Sequence, residues 1–406
     1  MSKSKTIVID LRALQIGHES RGVGMVIINA LENLKDDNNH YLLYMFDSSN
    51  PIGDLGINLN QLNYTIVTTP YLKINIKKIS DIPNVLKLIF HRFNELKPFK
   101  PDYFVQFDFN LGAPRFRKIK LISIAHDLIP LIMPNIYLPS PSLAASRGHG
   151  KKQKLKYFLR AIYYQQRAKR SYKLFKRSDK VLAISNSTRD SLIDILKVNP
   201  EKIEVSYEAP AVRSDSADTT IKSDYHFQNP YIFYLGGTDS RKSIEDIIYA
   251  LNLVNGRGRK LDLVLVGNEL KSLKMIPNHT IRQAITNSPY RDQIHLLGYL
   301  SEQDKKFIYQ NAHAFILASR YEGFGLPILE ANLLGCPVVA YKNSAIAEIG
   351  KNSALLVKTG SYQEIAEAIN QLFDQDRREA MIQAGYQEVT QYSWSNFTQQ
   401  LKDSFN

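Results

Sequence analysis

At 406 residues the chain is too long for one hydrophobic core, because single cores stop growing at roughly 250–300 residues, so two domains are expected. A composition of 44% hydrophobic and 22% charged residues excludes wholesale disorder, and the single cysteine, Cys336, excludes both an internal disulfide framework and a cysteine-rich metal site. The net charge of +13 is unevenly placed: residues 1–210 hold 32 Lys and Arg against 18 Asp and Glu, whereas residues 211–406 hold 20 against 21.

With only Met1 to Lys5 ahead of the first predicted strand, no apolar leader is expected. The stretch 121–146, free of Lys and Arg, contains His126, Asp127 and several prolines, which rules it out as a membrane-spanning helix. From the first strand onward, apolar runs alternate with helical patterns, the signature of parallel sheets covered by helices. The order begins with a buried strand at 6–10 and a loop from Leu11 to Gly24. Val23, Val26, Ile27, Ala30, Leu31 and Leu34 then mark one face of a helix. Strands are predicted at 41–46, 64–68, 103–106, 121–125 and 181–184. Residues 151–177 contain eleven Lys and Arg and no acid, with Leu155, Phe158, Leu159 and Ile162 at helical spacing. Two readings of that segment stay open: a covering helix with a solvated basic face, or a face resting on anionic lipid. Residues 208–230, rich in Ala, Ser, Asp, Thr and Pro, read as a linker. The pattern then restarts with a strand at 231–235, a glycine-rich turn, a helix at 244–253 and a strand at 261–266. The predicted domains are therefore 1–210 and 211–390, followed by a helical tail at 391–406 that packs back toward the first domain.

The sharpest local signal is Ser319-Arg320-Tyr321-Glu322-Gly323-Phe324-Gly325-Leu326-Pro327-Ile328-Leu329-Glu330. It follows an apolar strand and precedes a helical pattern closed by Gly335. Pro327 suits the first turn of a helix, where a missing N–H costs nothing. Gly323 and Gly325 allow backbone to approach a ligand. A strand, a glycine loop and a helix start form a site for an anion such as a diphosphate. Glu322 and Glu330 flank it, and a carboxylate accepts vicinal hydroxyls well, so a sugar or ribose is a natural partner. Taken as isolated residues, the two acids equally suit a helix start whose dipole favours negative charge. Asp374-Gln375-Asp376 lies in a late amphipathic pattern rather than at a strand end, so it is read as a solvated face and no metal site is expected.

The stretch from Glu322 to Glu330 resembles the acidic motif of the group 1, family 4 retaining glycosyltransferases. Tyr234-Leu235-Gly236-Gly237-Thr238-Asp239-Ser240-Arg241-Lys242-Ser243 is similar to the first loop of that family's donor domain. Residues 263–267, 297–309, 335–339 and Ala347-Glu348 continue the likeness. In the first half, Asp10-Leu11-Arg12 with Gly22-Val23-Gly24, then Ala125-His126-Asp127-Leu128-Ile129-Pro130, then Ile184-Ser185-Asn186-Ser187, resemble the acceptor domain in the same order.

That resemblance implies an α/β fold of two Rossmann-like domains facing across a cleft (GT-B). It implies that Glu330 binds the ribose of the nucleotide, and that Glu322 with the backbone of Gly323, Phe324, Gly325 and Leu326 holds the donor sugar. Lys242 would pair with the departing diphosphate, assisted by Arg241. Gly22 and Gly24 would approach that diphosphate from the other domain, and His126 would line the sugar. Many relatives place an Arg in the loop around Gly237, and this chain does not. The expected activity is retaining, metal-independent transfer of a hexose from a nucleotide-diphosphate sugar, with no cofactor. The acceptor would be a saccharide or lipid-linked saccharide in bacterial surface polysaccharide synthesis. The expected location is the cytoplasm, at the inner face of the membrane if the basic half rests on anionic lipid. Nucleic acid is not an expected partner. The competing readings are a glycoside hydrolase, which would leave Lys242 idle, a nucleic-acid- or membrane-binding protein using the basic half, and a non-catalytic sugar-binding relative.

Overall fold

The computed structural model describes residues 4–16, 22–34, 38–71, 93–116, 118–146, 150–210, 225–275 and 280–406. The chain divides into two compact units, Met1–Glu208 with Trp394–Asn406, and Ala209–Ser393.

The first unit is built on a parallel sheet of β1 (Thr6–Asp10), β2 (His40–Phe46), β3 (Tyr64–Thr69), β4 (Tyr103–Gln106), β5 (Lys120–Ala125), β6 (Lys180–Ala183) and β7 (Ile203–Val205). Its strand order is β3-β2-β1-β4-β5-β6-β7. The inner strands are apolar on both faces because helices cover both sides of a parallel sheet. Ile7, Val8 and Ile9 are accordingly buried, and Ile9 pairs with Leu43 on one side and Val105 on the other. The chain runs outward from β1 to β3, returns to β4 beside β1, and continues to the opposite edge. The C-terminal ends of β1 and β4 thus flank the point where winding reverses, the usual crevice of an open α/β sheet.

The second unit repeats the plan with β8 (Tyr231–Leu235), β9 (Asp262–Val266), β10 (Ile294–Leu297), β11 (Ala314–Leu317), β12 (Val338–Tyr341) and β13 (Ala354–Val357). Its order is β10-β9-β8-β11-β12-β13, with every pair parallel. Here the reversal falls between β8 and β11. The helices Ile244–Gly256 and Tyr362–Gln371 pack together over one face of this sheet, and their Ile247, Ile248, Leu251, Ile365 and Ile369 join the core.

Two expectations change. The loop expected to run to Gly24 ends earlier, since the helix Gly22–Asn33 includes both Gly22 and Gly24. Burial of Val26, Ile27, Ala30 and Leu31 outweighs the weak helical preference of two glycines. Glu208, placed at the start of the linker, is buried and bonded to His126, so the first unit extends through it. Residues 211–224 of the expected linker lie outside the described residues.

The helix Trp394–Asp403 belongs to the first unit and packs against the helix Gly22–Asn33. Phe397 and Leu401 are fully buried, Phe405 packs tilted against Tyr103 with ring centroids 5.5 Å apart, and Lys5 donates to the Phe405 carbonyl. Phe397→Ala should therefore cost the first unit about 3–5 kcal/mol, the usual range for emptying an aromatic core site. Hydrogen exchange should quicken in β1 and in Gly22–Asn33 while the helix Ile244–Gly256 keeps its protection; equal loss in both would contradict this placement of the tail.

Candidate functional site

In the second unit, the turns that follow β8 and β11 meet at the winding reversal. After β8 the chain turns at Gly236 and Gly237, where the Tyr234 hydroxyl donates to the Gly237 carbonyl at 2.7 Å. Adding a Cβ at Gly267, at the end of β9, would collide with the Gly236 carbonyl, so a glycine there is what lets this turn pass so close. Thr238 donates through its N–H and hydroxyl to Glu269 at 3.2 and 2.6 Å. Asp239 then caps the short turn Ser240–Lys242 by accepting from the Arg241 N–H at 3.0 Å. The effect is to point two consecutive cations at the neighbouring strand end.

The turn after β11 receives them. The Arg320 N–H donates to the Arg241 carbonyl at 2.7 Å, and Arg241 Nη1 donates to the Tyr321 carbonyl at 2.7 Å. Lys242 Nζ lies 2.6 Å and Arg241 Nη1 2.9 Å from Glu322 Oε1. The Glu322 N–H donates to Ser344 Oγ at 3.0 Å, and Asn343 Nδ2 donates to the Ser319 carbonyl at 3.0 Å, so the start of the helix Ser344–Ile349 braces the same turn. Phe324 is buried and lies edge-on to Tyr392, anchoring the loop. Gly325 adopts a left-handed conformation, φ 111°, which a side chain would resist, and the helix Leu326–Leu333 starts directly after it. Pro327 sits in that first turn.

Glu330 occupies the second turn of this helix, in a different setting. It is buried at 7% exposure, accepts from the Tyr309 hydroxyl at 3.1 Å, and has Lys305 Nζ at 3.9 Å. Lys305 also pairs with Glu302 at 2.9 Å. The structure therefore gathers Arg241, Lys242 and Glu322 into one ion cluster and sets Glu330 in a second one with Lys305 and Tyr309. Both stand at the C-terminal end of the sheet on the same glycine-loop-to-helix segment. Lys305 was not singled out by sequence reasoning. Its signal is positional: Lys305 and Tyr309 are four residues apart on the helix Glu302–Asn311, hence on one face. Gly237 is exposed, and a Cβ there would meet only Glu269 Oε2 at 3.7 Å, so the departure from relatives with an Arg in this loop is not imposed by crowding.

In the first unit, His126 follows β5. Its Nδ1 lies 3.3 Å from Glu208 Oε1, and its Nε2 is buried with no partner among the described residues. Thr188 Oγ1 donates to the His126 carbonyl at 3.3 Å, and Ser185 caps the helix Asn186–Asp194 by accepting from Thr188. Asp127 accepts from the Ile129 N–H at 2.9 Å and so supports the backbone beside the histidine. At the crevice itself, Arg12 is fully buried and forks onto Asp10 at 2.8 and 2.7 Å, under the rings of Tyr44 and Phe93. Gly22 and Gly24 form the first turn of their helix. Asp374, half of the Asp-x-Asp pair, caps the helix Gln375–Val389 by accepting from Arg377 at 2.9 Å.

The two glutamates are tuned in opposite directions. Burial pushes the Glu322 carboxyl up, but the charges of Lys242 and Arg241 outweigh it and hold the group down at about 2. Burial pushes Glu330 above the ordinary carboxylate value of 4.5, against the pull of Lys305 and the Tyr309 hydrogen bond. Ionised Glu322 thus contributes to stability in full above its ordinary value near 4.5, and that contribution is lost as the pH falls toward 2. Ionised Glu330 does the reverse: its charge costs stability at neutral pH, and the cost vanishes in acid. At pH 7, Glu322→Gln should destabilise by roughly 3 kcal/mol, as expected for breaking a largely buried pair, with the gap narrowing below the group's ordinary 4.5. Glu330→Gln should melt at or above the parent. Thermal melts across pH check both, and a Glu330→Gln variant that melts well below the parent at neutral pH would contradict the assignment.

Two family profiles cover most of the chain: Glycosyltransferase Family 4 matches residues 20–208 and Glycosyl transferases group 1 matches residues 219–388. Among curated proteins, O-antigen chain mannosyltransferase B of Escherichia coli is 26% identical over 232 residues, 55% of this chain and 60% of that protein. The serotype-specific mannosyltransferase WbdA of Escherichia coli is 24% identical over 285 residues, 68% of this chain and 32% of that protein. The matches thus span 60% of the first relative's length and about a third of the second's. Among solved structures, Anabaena Alr3699/HepE in complex with UDP and glucose superposes with a TM-score of 0.64 at 17% identity, covering 98% of this chain and 99% of that one. A likeness at that identity speaks to fold, and the fold is GT-B.

Proposed function

Since the chain belongs to the group 1, family 4 glycosyltransferases, we propose that it transfers a hexose from a nucleotide-diphosphate sugar to a saccharide or lipid-linked saccharide during surface polysaccharide synthesis. The observation that carries this reading is the cluster of Lys242, Arg241 and Glu322 beside the start of the helix Leu326–Leu333. A diphosphate seated at that helix start meets backbone dipoles and two fixed cations together. Glu322, freed from part of its pairing as the cations turn to phosphate, accepts hydroxyls of the donor sugar. Glu330, oriented by Tyr309 and Lys305, accepts the ribose hydroxyls.

The chemistry breaks the bond between the anomeric carbon and the diphosphate oxygen and forms one to the acceptor oxygen. The electron pair leaves with the diphosphate, where Lys242 and Arg241 stabilise it as it develops. The acceptor proton passes to the leaving phosphate on the same face, which retains the anomeric configuration. In this scheme the protein's own cations supply the positive charge at the leaving group, without a metal. Within the first unit, Glu208 fixes the ring of His126 through Nδ1. The names of the O-antigen relatives support a hexosyl donor and a polysaccharide product, and the Anabaena protein, whose structure holds UDP and glucose, supports a nucleoside-diphosphate sugar as the donor class. We place the reaction in the cytoplasm, where nucleotide sugars would be met by a chain of this kind.

Lys242→Ala should lower kcat by about 10²–10³, the usual loss for one leaving-group or oxyanion stabiliser, with KM for the donor changed far less. Glu330→Gln should act mainly on donor binding, raising KM about ten-fold, as for one lost charge-assisted hydrogen bond. Steady-state transfer with a nucleotide-sugar panel measures both. Turnover unchanged in both variants would reject the site.

A further inference from the structure

The helix Lys151–Arg177 carries eleven Lys and Arg and no acid. Its apolar face is not where a covering helix would put it. Leu155, Phe158, Leu159 and Ile162 stand on one side, and they are 59%, 39%, 54% and 37% exposed. The face that packs is elsewhere: Tyr157, Ala161 and Tyr164, on the opposite side, line a cavity of about 360 Å³ against Tyr137, Leu138, Pro139 and Ala144 of the preceding segment. The C-terminal half of the helix reaches the core through Tyr172, Leu174 and Phe175. At about 100° per residue, Lys154 falls to one side of the exposed apolar stripe and Lys156 to the other, while Lys151 lies in line with the stripe one turn before Leu155; all three are exposed. No helix among the described residues is long and apolar enough to cross a membrane.

An apolar stripe bordered by cations, on a helix without acids, matches a surface that is apolar within and anionic at its face. We propose that the N-terminal half of this helix, residues 151–162, lies on an anionic lipid surface. The four apolar side chains enter the boundary between headgroups and acyl chains, and the flanking lysines sit among the headgroups. Charge complementarity selects this occupant over a second copy of the chain, whose matching face would carry the same cations. The inference rests on the proposed function only in that it suits a membrane-borne acceptor; surface binding itself requires no donor.

The full chain should co-sediment with vesicles of phosphatidylglycerol and phosphatidylcholine, more weakly with phosphatidylcholine alone, and more weakly as salt is raised. Leu155→Ser with Leu159→Ser should weaken binding to the mixed vesicles by about ten-fold, because the buried apolar area sets the strength. Lys154→Gln with Lys156→Gln should chiefly abolish the preference for phosphatidylglycerol. Both pairs are exposed, so melting temperature and transfer to a water-soluble saccharide acceptor should stay at parental values. That second readout separates failure here from failure of the donor site. Absence of vesicle binding by the parent, or parental binding by the leucine variant, would overturn the proposal. So would a concentration-dependent dimer, seen by sedimentation without lipid and dispersed by the leucine variant, since the stripe would then belong to a second copy.

Discussion

Two cations and one carboxylate join the turn after β8 to the turn after β11. The sheet reverses its winding between these strands, so no covering connection crosses the gap and their ends stand open. Like charges side by side, as Arg241 and Lys242 are, need an acid to share, and Glu322 supplies it. Ser344 and Asn343 hold that turn from one side and Arg320 holds it from the other. The result is a rigid, charged rim around a helix start, assembled from parts of the chain eighty residues apart.

The same rim sets a contrast between neighbouring glutamates. One is held ionised by two cations, and the other is buried at a cost with a hydroxyl and a more distant ammonium for company. A buried acid that its surroundings compensate only in part makes little sense as a stabilising device. In the proposed donor site it serves as a hydrogen-bond acceptor kept ready for hydroxyls that complete its coordination.

Much of this was legible in the sequence, and the reasons for the gaps are physical. Strands apolar on both faces announced themselves: 6–10, 103–106 and 231–235 were read with the bounds the structure has. The strands β7, β10, β12 and β13 were missed: each is only three or four residues long, and Glu204 and His295 interrupt the apolar pattern of β7 and β10. Glu322 and Glu330 were found because they flank a glycine loop at a helix start, and Arg241 and Lys242 through the family resemblance. The direct ion pairing of the two cations with Glu322 was not read, since pairing across eighty residues leaves no local trace, and Lys305 stayed hidden for the same reason. Periodicity located Leu155, Phe158, Leu159 and Ile162 on one face, but a period cannot say whether that face meets a core or solvent.

The central claim is that a nucleoside diphosphate sugar seats where the helix Leu326–Leu333 begins, between the two charged clusters. Hydrogen exchange read by mass spectrometry, with and without a nucleotide sugar drawn from a uridine and guanosine panel, tests it most directly. The account predicts slowed exchange confined in the second unit to residues 236–243 and 319–331. Protection at other strand ends of that unit, with these two segments unchanged under a sugar that the protein turns over, would contradict it.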